Sequence, residues 1–305
     1  MKNLKWLLCG LSFLFVACDS EINVSYNLPK PVKQNLYVEG YFATIDLKGE
    51  ERIGTITATY VELEHSSSGD TLKMNRKYEI DKSRGYLKNY MPSELAWRVD
   101  SLSLKAFDRE VFAIDGLKAG YDSLVHSLPM PEKWRTQLLN PEYEKHLIRA
   151  ENHRWEMTHL LKGSYPENAN ITEQLKKENR LNFALISIDS VVTEGFQNLD
   201  KRKCFTYTVH LTETESFPYY IWEQHVNSNI VPQEFQKYYQ GLKAEYKTRY
   251  QIAMEPQGGI LCQEREVREG LHTMVNPESG DTATFKSNIT LERLYTKQVA
   301  DEVLP

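Results

Sequence analysis

Four residues near the middle of the chain, Glu142, His146, His153 and Glu156, have the side-chain types and spacing of a metal site. At 100° per residue they fall within about an 80° arc of one helix, and two imidazoles with two carboxylates form a donor set that zinc accepts. Arg149 stands inside the same arc, however, and a guanidinium there repels a cation. A solvated polar helix face explains these residues without a metal, and no metal site is assigned. Cys204 and His210 share one face of a strand and have the types of a thiol nucleophile and its base. Six residues at about 3.3 Å each separate them by about 20 Å, well beyond the hydrogen-bond reach that such a pair needs. A third cluster, Tyr219, Tyr220 and Trp222, followed by Tyr238, Tyr239, Tyr246 and Tyr250, offers rings on which a sugar could stack. The same rings can fill a core while their hydroxyls reach water. No Walker loop, dinucleotide-binding glycine fingerprint, His-Glu-x-x-His, Gly-x-Ser-x-Gly or paired Cys-x-x-Cys occurs. No cofactor is therefore implied, and no local signature identifies an enzyme.

The elements that carry these residues alternate between β and helical signals. Leu36 to Phe42 opens a first strand, Ile53 to Leu63 is rich in Thr, Ile, Val and Tyr, and Leu95 to Phe107 alternates around Leu102, Leu104 and Ala106. Together they predict a β-rich region over 36–128. The tetrapeptide Ser-Gly-Asp-Thr precedes a strand twice, at 68–71 and 279–282, which suggests two similar hairpins. Asn140-Pro141-Glu142 has the N-cap, first-turn proline and acid of a helix start, and Gly163 supplies a stop. Tyr143, Leu147, Ala150, Met157 and Leu161 then form one stripe. With shorter helices over 131–139 and 171–179, this predicts a helical region over 129–180. Over 181–305 the pattern is mixed. Leu181 to Val192 is apolar on both faces, as in a central strand. Phe205, Tyr207, Val209 and Leu211 share one face of the next strand, and Gln257-Gly258-Gly259 turns a hairpin. Phe235, Tyr239, Leu242 and Tyr246 have helical spacing and predict a second amphipathic helix over 232–250. The expected fold class is α+β: an antiparallel β-rich body with a helical segment in the middle and a second helix near 232–250.

The first residues have a different character. Lys2 and Lys5 precede an apolar run from Trp6 to Val16, and Phe15-Val16-Ala17-Cys18 follows as a lipobox-like cleavage site. This run is too short for a permanent span, which needs about 20 residues. Residues 1–17 resemble a lipoprotein signal peptide, which implies cleavage before Cys18, lipidation of that cysteine and attachment to a membrane outside the cytoplasm. The polar stretch 18–35, with Pro29 and Pro31, then reads as a tether. Cys9 would leave with the signal, so Cys204 and Cys262 remain in an oxidising compartment, either bridged or as two buried thiols.

Asp followed by Ser or Thr and an apolar residue occurs at Asp70-Thr71-Leu72, Asp100-Ser101-Leu102, Asp122-Ser123-Leu124, Asp189-Ser190-Val191 and Asp281-Thr282-Ala283. These triplets resemble the O-glycosylation acceptor of Bacteroidota-type exported proteins, and Thr71 and Thr282 are the best placed of them. The alternative is turn chemistry at strand ends. Asp19-Ser20-Glu21 resembles the acidic signal that follows the lipidated cysteine in the same group and sends such proteins to the cell surface, while Asp directly after the cysteine also resembles the inner-membrane retention signal of enteric-type bacteria; the expected location is the outer membrane, on either face. The formal net charge of -5 argues against a nucleic-acid partner. The expected partners are a membrane, through the N-terminal lipid, and a protein or glycan. The expected function is that of a binding or assembly module, with a lipid-anchored hydrolase of envelope or dietary polymer and a subunit of an envelope complex as alternatives.

Overall fold

Residues of alternating character put every second side chain on one face of a strand, and here that rule organises almost the whole molecule. The computed structural model describes residues 21–45, 51–68, 71–78, 101–108, 110–116, 119, 132, 152, 154–183, 186–215, 243–275 and 279–297. Ten strands form one antiparallel sheet. In chain order they are β2 (Val32–Ile45), β3 (Glu51–Ser68), β4 (Thr71–Tyr78), β5 (Ser101–Phe107), β6 (Glu110–Asp115), β8 (Ile186–Leu199), β9 (Arg202–Glu215), β10 (Lys243–Glu255), β11 (Ile260–Val275) and β12 (Thr282–Lys297). The spatial order is β6-β5-β4-β3-β2-β12-β11-β10-β9-β8. Two meanders, one from each half of the chain, are thus joined where the last strand pairs with β2, with Leu291 opposite Gly40 and Tyr295 opposite Leu36. The short strands β1 (Glu21–Val24) and β7 (Gly163–Pro166) form a separate ribbon. A helix, α1 (Thr172–Lys177), follows β7.

One face of the sheet carries the core. Leu36, Leu63, Leu104, Val111, Val209, Ile252 and Tyr295 from the sheet pack with Ile22, Met157, Leu160, Tyr165 and Leu175 from the segments laid over it. Both edges of the sheet end on that cover. At the β8 edge, Ile171 N donates to Val191 O (2.9 Å) and Thr193 N donates to Ala169 O (2.9 Å). Val191 N donates to Thr172 Oγ1 at 2.8 Å. At the β6 edge, Val111 N donates to Asn152 Oδ1 (2.6 Å) and Trp155 Nε1 to Asp108 O (3.2 Å). Arg180 places its guanidinium 3.4 Å from each oxygen of Asp108, in the turn between β5 and β6, and donates to Leu160 O and His159 O.

These contacts fix the shape of the sheet. Nine strand spacings of about 4.8 Å would put the two edges about 43 Å apart if the sheet were flat. From Ile171 to Arg180 the chain is mostly one short helix, which advances about 14 Å at 1.5 Å per residue. That distance and one arginine side chain do not bridge a flat sheet. The sheet is therefore rolled around the cover, with residues 154–181 as its plug.

Several expectations change. The fold class is not α+β: strand dominates the described residues and helix is confined to short segments, so the body is an antiparallel β protein with short helices. The helix expected over 232–250 is overturned from residue 243 onward, where the chain is β10. Ala244, Tyr246, Thr248, Tyr250 and Ile252 are buried in strict alternation with exposed or half-buried Lys243, Glu245, Lys247, Arg249 and Gln251. Tyr246 and Tyr250 are four apart, a spacing that shares a face in a helix and in a strand alike, and the period of two decides between them. Phe235, Tyr239 and Leu242 lie outside the described residues.

In the region expected to be helical, residues 154–158 and 172–177 are helical, and the first of these helices ends before Gly163. Tyr143, Leu147 and Ala150 lie outside the described residues. The central strand expected over 181–192 begins instead at Ile186 and occupies the sheet edge. Residues 169–172 cover that edge, which is how an edge strand buries Val191 completely. The stretch read as a tether is strand from Glu21, and Ile22, Val24 and Tyr26 are core residues. The repeated tetrapeptides do fall at hairpin connections, between β3 and β4 and between β11 and β12.

The N-terminal stretch is locked by the turn between β10 and β11. Ser25 N donates to Pro256 O, Gly258 N donates to Ser25 O, and the Tyr26 hydroxyl donates to Leu161 O. Gly258 and Gly259 have φ of +91° and +60°, and a Cβ on Gly259 would lie within the Tyr26 ring. Gly259→Ala is expected to cost about 2 kcal/mol or more from overpacking and left-handed backbone strain together. Urea unfolding reads this as a lower midpoint, whereas an unchanged midpoint would mean that the Tyr26 contact is not rigid.

Candidate functional site

The inner face of β11 carries an unusual series for a core surface: Glu264, Glu266, Arg268, Gly270 and His272, at every second residue. Register brings them opposite inner residues of both neighbours. Glu264 faces Arg293 and Ile252, Glu266 faces Leu291 and Tyr250, and Gly270 faces Ser287 and Tyr246. Buried charge is costly unless paired, and each of these charges has its counterpart. Arg154, from the plug, grips Glu264 through two bonds, Nε to Oε2 at 3.1 Å and Nη2 to Oε1 at 2.9 Å. Arg293 Nη1 lies 3.3 Å from Glu264 Oε2 and 3.6 Å from Glu266 Oε2. The Tyr295 hydroxyl donates to Glu264 Oε1, and Arg268 pairs with Glu213. Burial alone would push the Glu264 carboxyl up. Arg154 and Arg293, with the hydrogen bonds from Arg154 and Tyr295, outweigh it and hold the group at about 2.

Farther along the same face, His272 Nε2 and Ser287 Oγ lie 2.8 Å apart, with Tyr246 edge-on to the imidazole. Burial and then Arg268 lower His272 to about 4, so the ring is neutral at physiological pH. Gly270 makes this possible, because a Cβ there would strike Ser287 Oγ, Tyr246 and His272. Three arginines (154, 268 and 293) face three glutamates (213, 264 and 266), so the stripe neutralises itself and leaves no charge to attract an ion. Its geometry fits a register lock inside the roll.

A second place opens to solvent. Leu28, His65, Ser66, Leu72, Lys73, Trp155, His159 and the turn Gly258-Gly259-Ile260 line a shallow recess of about 10 Å³, room for about one water molecule. Four separate stretches meet here: the N-terminal segment, the β3–β4 hairpin, the plug and the β10–β11 turn. The His159 ring stacks on Trp155 with centroids 3.8 Å apart and planes at 4°, while its Nδ1 meets Thr158 Oγ1 at 2.9 Å. Burial drives His159 down to about 3, against the bond to Trp155 O and with His65 adding to the shift. The recess is thus backed by a buried neutral imidazole and a buried indole, with the exposed Lys73 at its rim.

The residues singled out from sequence are distributed as follows. Cys204 and Cys262 are joined as a disulfide, with Cα atoms 6.7 Å apart and a sequence separation of 58. The bridge crosses β10 at a bulge, where Cys262 is the residue skipped between the pairs Ala253–Gln263 and Met254–Leu261. His210 is exposed on β9. Glu142, His146, His153, Cys18, Tyr219, Tyr220 and Trp222 lie outside the described residues, and Glu156 is half-buried. Among the described residues no group of three His, Cys, Asp or Glu could hold a metal ion. Thr71 is half-buried at the start of β4, opposite Ser68 and Phe107. Thr282 is exposed at the start of β12, directly after Asp281. Asp281 accepts from Ser279 Oγ at 2.6 Å and returns its own N–H to the same oxygen. Sequence reasoning missed both the stripe and the recess. The available signal was a period-two series of two acids, an arginine, a glycine and a histidine within one strand.

No protein-family model matches the chain, and no curated protein sequence matches it. Among solved structures it is similar to one described as "lipid-protein interactions in lipovitellin", at 10% identity and a TM-score of 0.37, over 92% of this chain and 27% of that one. The chain thus spans about a quarter of that protein's length, and a likeness of this degree establishes no shared fold or activity. Among the described residues, no helix is long and apolar enough to cross a membrane.

Acid should loosen this structure. The folded state excludes a proton from His159, ordinarily titrating at 6.5 and here at about 3, while the unfolded chain accepts one. Stability is therefore lost as pH falls through that window. Glu264, lowered from 4.5 to about 2, adds a further loss as pH drops below 4.5. Thermal unfolding at pH 7, 5.5 and 4 should show a falling midpoint, and His159→Phe should flatten the slope. A flat profile for the unsubstituted protein would contradict the burial of both groups.

Proposed function

We propose that the protein is an outer-membrane lipoprotein, anchored through acylated Cys18, whose rolled β body is a binding or assembly module for a protein or glycan. The anchor reading rests on the leader and lipobox-like sequence. Binding is supported chiefly by one observation, the recess at residues 65–73 and 155–159, which is preorganised by a stacked Trp155–His159 pair and a glycine turn. Enclosed small-molecule sites have volumes of roughly 300–1,000 Å³. At about 10 Å³ this recess is far smaller and holds about one water molecule, so it offers a shallow contact point for the surface of a larger partner and not an enclosed site. The solvent-facing acceptor Thr282 is the better candidate for O-linked sugar, since Thr71 lies half-buried in a strand pair.

Ser66, half-buried in the recess wall, gives a way to close it. The lipidated protein is extracted in mild detergent and its co-purifying species are compared with those of Ser66→Trp. A defined partner should be lost when Trp covers the recess and retained by Lys286→Ala, an exposed site on β12, with the unfolding midpoint of each variant measured to separate lost binding from lost folding. Equal recovery from both variants would remove the recess as the binding site. Intact mass of the same sample checks for an acylated Cys18 and for hexose increments.

A further inference from the structure

The anchor and the fold together constrain how the body sits. A free tether over residues 18–35 would allow a reach of about 55–60 Å when extended. The chain is already committed to structure at Glu21, where β1 pairs with β7 in the register Glu21–Pro166, Ile22–Tyr165, Asn23–Ser164 and Val24–Gly163. Ile22 and Val24 are buried in the main core. The ribbon is also tied to the sheet, because Thr193 Oγ1 donates to Pro166 O at 2.7 Å. Peeling β1 away to lengthen the link would expose those core residues and break its ladder. Two residues, Asp19 and Ser20, therefore separate Cys18 from the folded body, a span of at most about 10 Å over three Cα steps.

Resting on the anchoring proposed above, we infer that the Glu21–Pro166 end of the β1–β7 ribbon, with the adjoining turn at Glu167 and Asn168, is held against the lipid headgroups. The body has a fixed membrane-facing end. The opposite end of the sheet is remote from it. Ser25 meets the turn at Gln257, and Thr284 pairs with Thr273, thirteen residues along β11 from Ile260. At about 3.3 Å per residue that is about 43 Å from the turn, and subtracting the roughly 13 Å between Glu21 and Ser25 leaves about 30 Å. Glu21 is exposed and Glu167 half-buried at the membrane-facing end, so neither side chain attracts an anionic surface.

The test uses full-length lipidated protein in phosphatidylcholine vesicles that contain a headgroup-nitroxide lipid. A fluorophore is placed at Glu167→Cys or at Thr284→Cys, with Cys18 acylated and Cys204–Cys262 bridged. Most of the emission should be lost at 167 and little at 284. Inserting about twelve Gly/Ser residues between Ser20 and Glu21, with a root-mean-square span of about 20 Å, should abolish the difference. An unquenched label at 167 on a protein whose mass confirms acylated Cys18 overturns the orientation and leaves the anchor standing. A retained leader or an unmodified start overturns both.

Discussion

A sheet of ten strands has two edges, and each presents unpaired backbone groups that would otherwise recruit another chain. Here one segment serves both. Asn152 and Trp155 close the β6 side, residues 169–172 close the β8 side, and Arg180 ties the second to the first through Asp108. The curvature of the sheet, the enclosure of its inner face and the meeting of the N-terminal segment with the plug all follow from this double attachment. Arg180 is well suited to the position. Its planar fork reaches a carboxylate and two carbonyls at once, which a lysine's point charge would not reproduce.

Rolling the sheet also explains why charges are buried on its inner face. A flat sheet would leave Glu264, Arg293 and Arg268 to water. The roll removes water, so each must be matched, and the register of β10, β11 and β12 supplies the match. Such a network adds little net stability compared with an apolar core of equal volume. It does penalise misregister, since a slip of one residue would turn Glu264 and Arg268 outward and bring Arg265 and Val267 in. The disulfide reinforces the same region, pinning β9 to β11 beside the bulge in β11.

Much of the β architecture was legible in the sequence because alternation is a strong local signal. The glycine turn at 257–259, the inner row Phe205, Tyr207, Val209 and Leu211, and the burial of Ser287 between exposed Lys286 and Asn288 all follow from period two. The helix expected near 232–250 failed from residue 243 because Tyr246 and Tyr250 satisfy both periods, and only the intervening charges distinguish them. The tether failed because Glu21 to Tyr26 looks polar on average, although Ile22, Val24 and Tyr26 alternate inward. The buried stripe was hidden for the opposite reason. Between Glu264 and His272 of β11, Val267 and Leu271 are the apolar residues, so composition points to the wrong face as the inner one. Contact with Arg154 and Arg293, distant in sequence, is what allows the charged face to turn in. The recess needs four segments far apart in the chain, and no local pattern announces it.

Hydrogen exchange on Arg180→Ala, compared with the unsubstituted protein, tests the double attachment most directly. If one plug holds both edges, the Val111 amide on β6 and the Val191 and Thr193 amides on β8 should lose protection together, while amides in the β2–β12 seam keep theirs. Loss confined to the turn around Asp108, with β8 unchanged, would show that the two edges are secured independently and that the sheet does not depend on the plug for its roll.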